Sequence, residues 1–444
     1  MRSLSIGEAI VLVIGFLMTL APVNAKRVTF MVVGDSISHG FEGDYTWRYR
    51  LWEWIRDQRI KATFVGPYSG TYPQTEGTGP VCQNETQSSN RSHGSSEYPF
   101  EDAGYAEAIT EDWPMAHFSL IGWQAAQVSL KDVAGLFQPD YILLELGVND
   151  LVHKRHPIET LAELRRLVEE GRAAKPDIRI AIATIPSIRV LAGLPWLLPE
   201  WTEDLTERLE TAVAKWNTSE SPVALVPLRE NYDCRPDVCN AAWDGIHPTE
   251  LGQYQIASAF SQTLHETFGF GRRPLRVPRE KKIPERPMSV PSNFEVKTVP
   301  WGIKLTWDKV PGTYRYEVGR RRANTTEWRT KYSGNGYERS SNRYDAVDVK
   351  EGEEWEFRVR VNNGKAFEVE RVSEWTPVES AIAHPTTDAC GGELEEESLG
   401  ETNVVAGTRS MLLPSIALFI SVATVYEMLR RILAHRPQKI YHAI

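Results

Sequence analysis

The sequence predicts an open, doubly wound α/β domain followed by a small antiparallel β sandwich. Three observations carry this expectation. From residue 26 to about 270, short runs that are apolar on both faces alternate with stretches of helical periodicity. A basic, proline-rich segment without periodicity follows over 271–291 and reads as an extended linker. Residues 292–383 then switch to alternation with a period of two.

The N-terminus precedes any of this. Arg2, an almost unbroken apolar run from Ala9 to Ala21 and the small-residue ending Val23-Asn24-Ala25 read as a cleavable signal peptide over 1–25. Retention as an N-terminal anchor is the alternative, for which the apolar run is short. Runs at 28–33 (VTFMVV), 62–65 (ATFV), 141–146 (YILLEL), 178–185 (IRIAIATI) and 223–228 (VALVPL) are expected to be parallel strands covered on both sides. Helical patterns lie at 49–59, 157–174, 203–216 and 248–268. The last has Pro248 at the first helical position and Ile256, Phe260, Leu264 and Phe268 on one face. This alternation is that of a doubly wound sheet. Two insertions, 67–117 and 193–201, either form a substrate-binding rim or pack over a helix.

In the second part, 302–307 (GIKLTW), 315–320 (RYEVGR) and 355–361 (WEFRVRV) alternate apolar with polar, and about 90 residues suits an immunoglobulin-like sandwich. An acidic, glycine-containing stretch over 384–410 reads as disordered. The apolar run 411–429 is expected to cross a membrane once, with the basic tail 430–444 in the cytoplasm and everything before it on the other side. An amphipathic helix lying on the membrane surface is the alternative.

Composition narrows the class. The 444 residues allow two or three domains, and 41% apolar with 25% charged residues is the balance of a globular protein. A net charge of −9 without a large basic face argues against nucleic acid as a partner. Four sequons, at Asn84, Asn90, Asn217 and Asn324, fit a secretory route as glycosylation sites. The four cysteines are too few for a disulfide scaffold, but Cys234 and Cys239 are close enough to close a small loop. Whether Cys82 and Cys390 pair is left open. Phosphate-binding, dinucleotide-binding, zinc-binding and GxSxG motifs are all missing, so neither cofactor nor metal is expected.

The chemistry-bearing residues follow the expected strands. Gly34-Asp35-Ser36 follows the first, Gly147-Val148-Asn149-Asp150 the run at 141–146, and Asp244-Gly245-Ile246-His247-Pro248 comes after the run at 223–228. Ligands bind at the carboxyl ends of strands in folds of this kind. A serine hydroxyl is a weak nucleophile until a base takes its proton; His247 can do so, with Asp244 fixing its tautomer. The amide of Asn149 and a glycine N–H can stabilise a developing oxyanion.

These motifs resemble the GDSL/SGNH hydrolase family over residues 28–268, whose flavodoxin-like fold and serine-esterase activity are what the resemblance implies. On that resemblance Ser36 is the nucleophile, His247 the base and Asp244 its orienting acid. Ser36 N–H, Gly122 N–H (in Ser119-Leu120-Ile121-Gly122-Trp123) and the Asn149 side chain would form the oxyanion hole. Ile37-Ser38 departs from the leucine and serine or threonine that often follow the first block. The stretch 34–51 with Val65-Gly66 is similar to carbohydrate esterases that remove acetyl groups from xylan, implying an acetylated polysaccharide as substrate. Lysophospholipase- and thioesterase-like members share the same blocks, and a catalytically silent cell-surface binding protein is the reading from another class. Leu305-Thr306-Trp307, Tyr316-Glu317-Val318, 357–361 and Ser373-Glu374-Trp375 resemble strands B, C, F and G of a fibronectin type III domain, with Phe357 where a tyrosine is usual. Its partner is not legible.

Overall fold

A computed structural model of the chain describes residues 27–73, 103–110, 112–189, 198–333, 341–364 and 371–387. The α/β part runs in the order β1 (Val28–Gly34), α1 (Ser36–His39), α2 (Thr46–Asp57), β2 (Ala62–Phe64), β3 (Phe118–Ser119), α3 (Leu130–Phe137), β4 (Tyr141–Glu145), α4 (Val148–Val152), α5 (Pro157–Ala174), β5 (Arg179–Ala183), α6 (Leu198–Trp216), β6 (Val223–Val226), α7 (Leu228–Asn231) and α8 (Glu250–Glu266). The strands form one parallel sheet in the order β2-β1-β4-β5-β6, with β3 paired to the carboxyl end of β1. Successive strand residues feed opposite layers, as the pleat requires. Phe30 and Val32 join the core under α2 and α8, where the Trp47 and Phe260 rings stack 4.6 Å apart. Met31 and Val33 join the core formed with α3, α5 and α6. The doubly wound parallel sheet is therefore as expected, and the strand order reverses beside β1, where three strand ends converge.

Several helix boundaries differ by a few residues. Helix α8 starts at Glu250, two residues later than Pro248 suggests, because Thr249 is the N-cap and its hydroxyl accepts the Gly252 N–H at 3.3 Å. Helix α6 begins at Leu198, inside the insertion expected over 193–201.

The second part contains β7 (Glu295–Val299), β8 (Gly302–Thr306), β9 (Arg315–Arg322), β10 (Arg329–Tyr332), β11 (Arg343–Ala346), β12 (Glu354–Asn362) and β13 (Glu379–Ile382). They make two antiparallel sheets, β10-β9-β12-β13 and β11-β8-β7, which share a core of Ile303, Leu305, Trp307, Val318, Phe357, Val359 and Val361. Ser373-Glu374-Trp375, expected as the last strand, is not one. Here side-chain hydroxyls complete a partial ladder: Ser373 and Thr376 N–H donate to Val361 O (3.0 Å) and Val359 O (2.9 Å), Ser373 Oγ accepts Val361 N–H and Thr376 Oγ1 accepts Val359 N–H, both at 3.0 Å, and β13 pairs with β12 further on.

The segment 271–291 is strapped down rather than loose. Trp54 Nε1 donates to Arg273 O at 2.8 Å, Leu275 N–H to Ser261 Oγ at 2.8 Å, and Arg286 is buried. The signal peptide expected over 1–25, Cys82, Asn84, Asn90, Cys390 and the span and tail expected over 411–444 lie outside the described residues. Among the described residues no helix is long and apolar enough to cross a membrane. Asn217 and Asn324 are exposed, and Asn217 Oδ1 accepts the Val223 N–H at 3.1 Å where β6 begins.

Candidate active site

Strand β1 ends in a turn that only glycine fits. A Cβ on Gly34 would lie 2.4 Å from Ser38 Oγ and 2.9 Å from Glu145 O, so no side chain can stand between β1, α1 and β4. Asp35 then caps α1, its Oδ1 accepting the Ile37 N–H at 2.9 Å, and Ser36 opens the helix. The His247 ring meets it from the loop before α8: Nε2 lies 2.9 Å from Ser36 Oγ. The other ring nitrogen, Nδ1, lies 2.6 Å from Asp244 Oδ2.

Asp244 is itself fixed. Its Oδ1 accepts the N–H groups of Ile246 at 3.0 Å and His247 at 2.7 Å. Burial alone would raise its pKa, but the neighbouring His247 and these hydrogen bonds outweigh it and hold the carboxyl below its usual value. The loop carrying the pair is closed by a Cys234–Cys239 disulfide and by backbone bonds from Trp243 N–H to His247 O (2.9 Å) and Thr249 N–H to Ala241 O (2.7 Å). An Asp–His–Ser relay of this geometry can carry a proton from the hydroxyl to the imidazole while the carboxylate stabilises the cation formed.

The segments bearing Gly122 and Asn149 leave the sheet beside Ser36, since Gly34 pairs with both Ser119 and Glu145. Asn149 Nδ2 donates to Trp123 O at 3.1 Å. Gly122 has φ +78°, and a Cβ there would meet nothing within 4 Å, so its backbone borders open space. Asp150, named in the sequence only as part of its block, ties the two together: its Oδ2 accepts the Ala125 N–H at 2.8 Å. Among the described residues no group of three or more His, Cys, Asp or Glu is placed to hold a metal.

Two buried acids accompany the relay, Asp35 and Glu145, of which sequence reasoning missed Glu145. Ser38 Oγ donates to Glu145 Oε2 at 2.7 Å and takes the Trp47 indole N–H at 3.1 Å. Burial pushes the Glu145 carboxyl well up, with Asp35 adding to it. Burial likewise drives Asp35 up to about 7, against the pull of the Ile37 N–H and His247. A raised carboxyl binds its proton more tightly folded than unfolded, so its contribution is complete below about pH 4 and is lost as pH rises through about 7. Asp35→Asn keeps the cap acceptor and removes this titration. Its stability relative to the parent chain is expected to rise by on the order of 2 kcal/mol between pH 5 and pH 8. Urea unfolding of both chains at the two pH values measures this, and parallel pH dependences would refute it.

Residues 89–254 match the family model described as GDSL-like Lipase/Acylhydrolase family. The chain carries a GDSL-like lipase/acylhydrolase domain and is a hydrolase acting on ester bonds. The matched stretch of this acylhydrolase domain includes Gly122, Asn149, Asp244 and His247 and begins beyond Ser36. No curated protein matches the chain significantly. Among solved structures it is similar to a carbohydrate esterase family 3 protein from Talaromyces cellulolyticus, at 21% identity over 53% of this chain and 96% of that one, with a TM-score of 0.39. It is also similar to a Clostridium thermocellum family 3 carbohydrate esterase (21% identity, 54% and 96% covered, TM-score 0.38). A third is an acetyl esterase mutant with acetate ion (20% identity, 53% and 96% covered, TM-score 0.39).

Proposed function

We propose that the chain is a serine esterase that removes short acyl groups, acetyl above all, from an extracellular polysaccharide. One observation carries the mechanism: Ser36 Oγ, both ring nitrogens of His247 and Asp244 Oδ2 lie in one hydrogen-bonded line, at 2.9 and 2.6 Å. Ser36 Oγ attacks the ester carbonyl as its proton passes to His247 Nε2. The carbonyl oxygen becomes an oxyanion, which Ser36 N–H, Gly122 N–H and Asn149 Nδ2 receive. Collapse breaks the bond to the alcohol oxygen, which leaves with the proton from His247. Water then attacks the acyl-enzyme, giving its proton to the same nitrogen, and the carboxylic acid departs as Ser36 is restored.

The preference for acetyl rests on the resemblance of 34–51 and Val65-Gly66 to xylan-deacetylating esterases. The secretory route and a single span over 411–429 belong to the same reading. The Cys234–Cys239 disulfide supports the route, because such bonds persist in oxidising compartments. A substrate panel tests the whole. Acetyl esters and acetylated xylan are expected to give a kcat/KM at least roughly tenfold above octanoyl esters and lysophospholipid, each added methylene costing or gaining on the order of 1 kcal/mol in a fitted pocket. Faster cleavage of the long-chain esters would make it a lipid esterase, and no cleavage of any would favour a silent binding protein.

A further inference from the structure

We infer that the β sandwich and the strap leading to it are positioning elements of the catalytic histidine, so that the second domain completes the active site. This rests on the Ser36–His247–Asp244 reading above. The His247 ring is held by two aromatic neighbours. Trp243 stacks on one face, centroids 6.0 Å apart and planes 23° from parallel. Phe41 meets it edge-on at 5.2 Å and 88°. Both of these rings belong to the α/β domain, and both are fixed from outside it.

The first arm comes from the loop between β8 and β9. Tyr314, 1% exposed, stacks on Trp243 at 5.2 Å and 13°, so that the Trp243 ring contacts both Tyr314 and His247. The Tyr314 hydroxyl donates to Glu250 Oε2 at 3.0 Å, in the first turn of the helix that follows His247. The second arm comes from the strap. Arg286, 7% exposed, pairs with Asp44 Oδ1 through Nη1 at 2.7 Å. Its Nε lies 2.5 Å from Glu250 Oε1, an ion pair outside hydrogen-bond geometry. The other oxygen of Asp44 accepts the Phe41 N–H at 2.9 Å, which fixes the backbone behind the edge-on ring. The two arms are joined: Arg286 Nη1 also donates to Gly312 O at 2.7 Å, and its guanidinium lies 4.0 Å from the centre of the Tyr314 ring.

The seam between the domains is built for close approach. Gly312 N–H donates to Glu42 O at 3.1 Å, and a Cβ on Gly43 would lie 2.2 Å from Gly312 N. A loosely tethered binding module would have no use for backbone contact of this kind. Burying a guanidinium is costly unless paired, and here both carboxylates that pair with it lie in the α/β domain. A misplacement of about 1 Å at a catalytic group can cost on the order of a hundredfold in rate, which is the effect the two arms guard against.

The test compares Tyr314→Ala, Tyr314→Leu and Tyr314→Phe in the full chain, using p-nitrophenyl acetate. Tyr314→Phe keeps the stacked ring and is expected to stay within about threefold of the parent kcat, whereas Tyr314→Ala loses roughly tenfold or more, with KM within about twofold. Tyr314→Leu falls between. The acid limb of the kcat/KM profile and the low-field proton signal of the His247–Asp244 hydrogen bond are expected to move in Tyr314→Ala and not in Tyr314→Phe. Should Tyr314→Ala not fold, Arg286→Lys takes its place, since an ammonium cannot reproduce the planar contacts to Asp44 and Gly312. Parent kcat and an unmoved proton signal in a folded Tyr314→Ala would overturn the inference, as would a change confined to KM. Neither result touches the underlying reading, which falls if a folded Ser36→Ala stays active or if the parent chain cleaves none of the esters.

Discussion

Ser36→Ala is expected to lower kcat for ester hydrolysis on the order of 10⁴- to 10⁶-fold while leaving the fold unchanged. The hydroxyl is the only group in the relay able to form the covalent bond, and what remains is the catalysis of the oxyanion donors and binding alone. Structurally the change is mild. The cap of α1 comes from Asp35 rather than from Ser36, and the side chain removed makes its hydrogen bond to His247. Turnover of p-nitrophenyl acetate together with thermal unfolding decides it: a variant with the parent melting temperature and near-parent turnover would end the assignment.

Asp244→Asn should cost on the order of 10⁴-fold in kcat for a different reason. An asparagine oxygen can still accept the Ile246 and His247 N–H groups that now bond Oδ1, so the loop keeps its shape. The amide nitrogen then faces His247 Nδ1 where Oδ2 stood. A donor there forces the imidazole proton onto Nε2, the atom that must be free to take the proton of Ser36. The expected signature is a fall in kcat with KM little changed. An equal loss in a variant whose crystal structure shows the loop displaced would instead assign Asp244 a structural role.

The parallel strands were legible because burial on both faces leaves continuous apolar runs, as in β4, all five residues of which are buried. The site motifs were legible because tight turns at strand ends need particular residues at fixed spacing. Other elements left no such mark. Strand β10 is exposed at all four positions, so no alternation could reveal it. Helix α3 buries Leu130 and Ala134 in eight residues, too few to establish a period. Trp243, Asp44 and Glu145 stayed hidden for another reason. Each acts through partners far away in sequence: Trp243 through Tyr314, Asp44 through Arg286, and Glu145 through Ser38. Local spacing cannot encode contacts between segments that meet only on folding. The strap over 271–291 deceived similarly, because proline-rich basic sequence looks alike whether it hangs free or is pinned by Trp54 and Ser261.

The bond from Val223 to Asn217 bears on how a sugar-free form of the protein should be made. Replacing the acceptor asparagine by glutamine would shift the carbonyl that receives the first N–H of β6, so a loss of stability would follow whether or not a glycan had ever been attached. Proline at Thr218, which would also block the sequon, is no cleaner, because the Thr218 hydroxyl both accepts from Ser221 N–H and donates to Ser221 O. Ser219, the third residue of the sequon, is exposed, and its side chain makes no hydrogen bond among the described residues. Alanine at that position erases the acceptor signal and leaves the hydrogen bonds that start the strand in place, so a fall in mass on secretion would test whether a carbohydrate is attached at all.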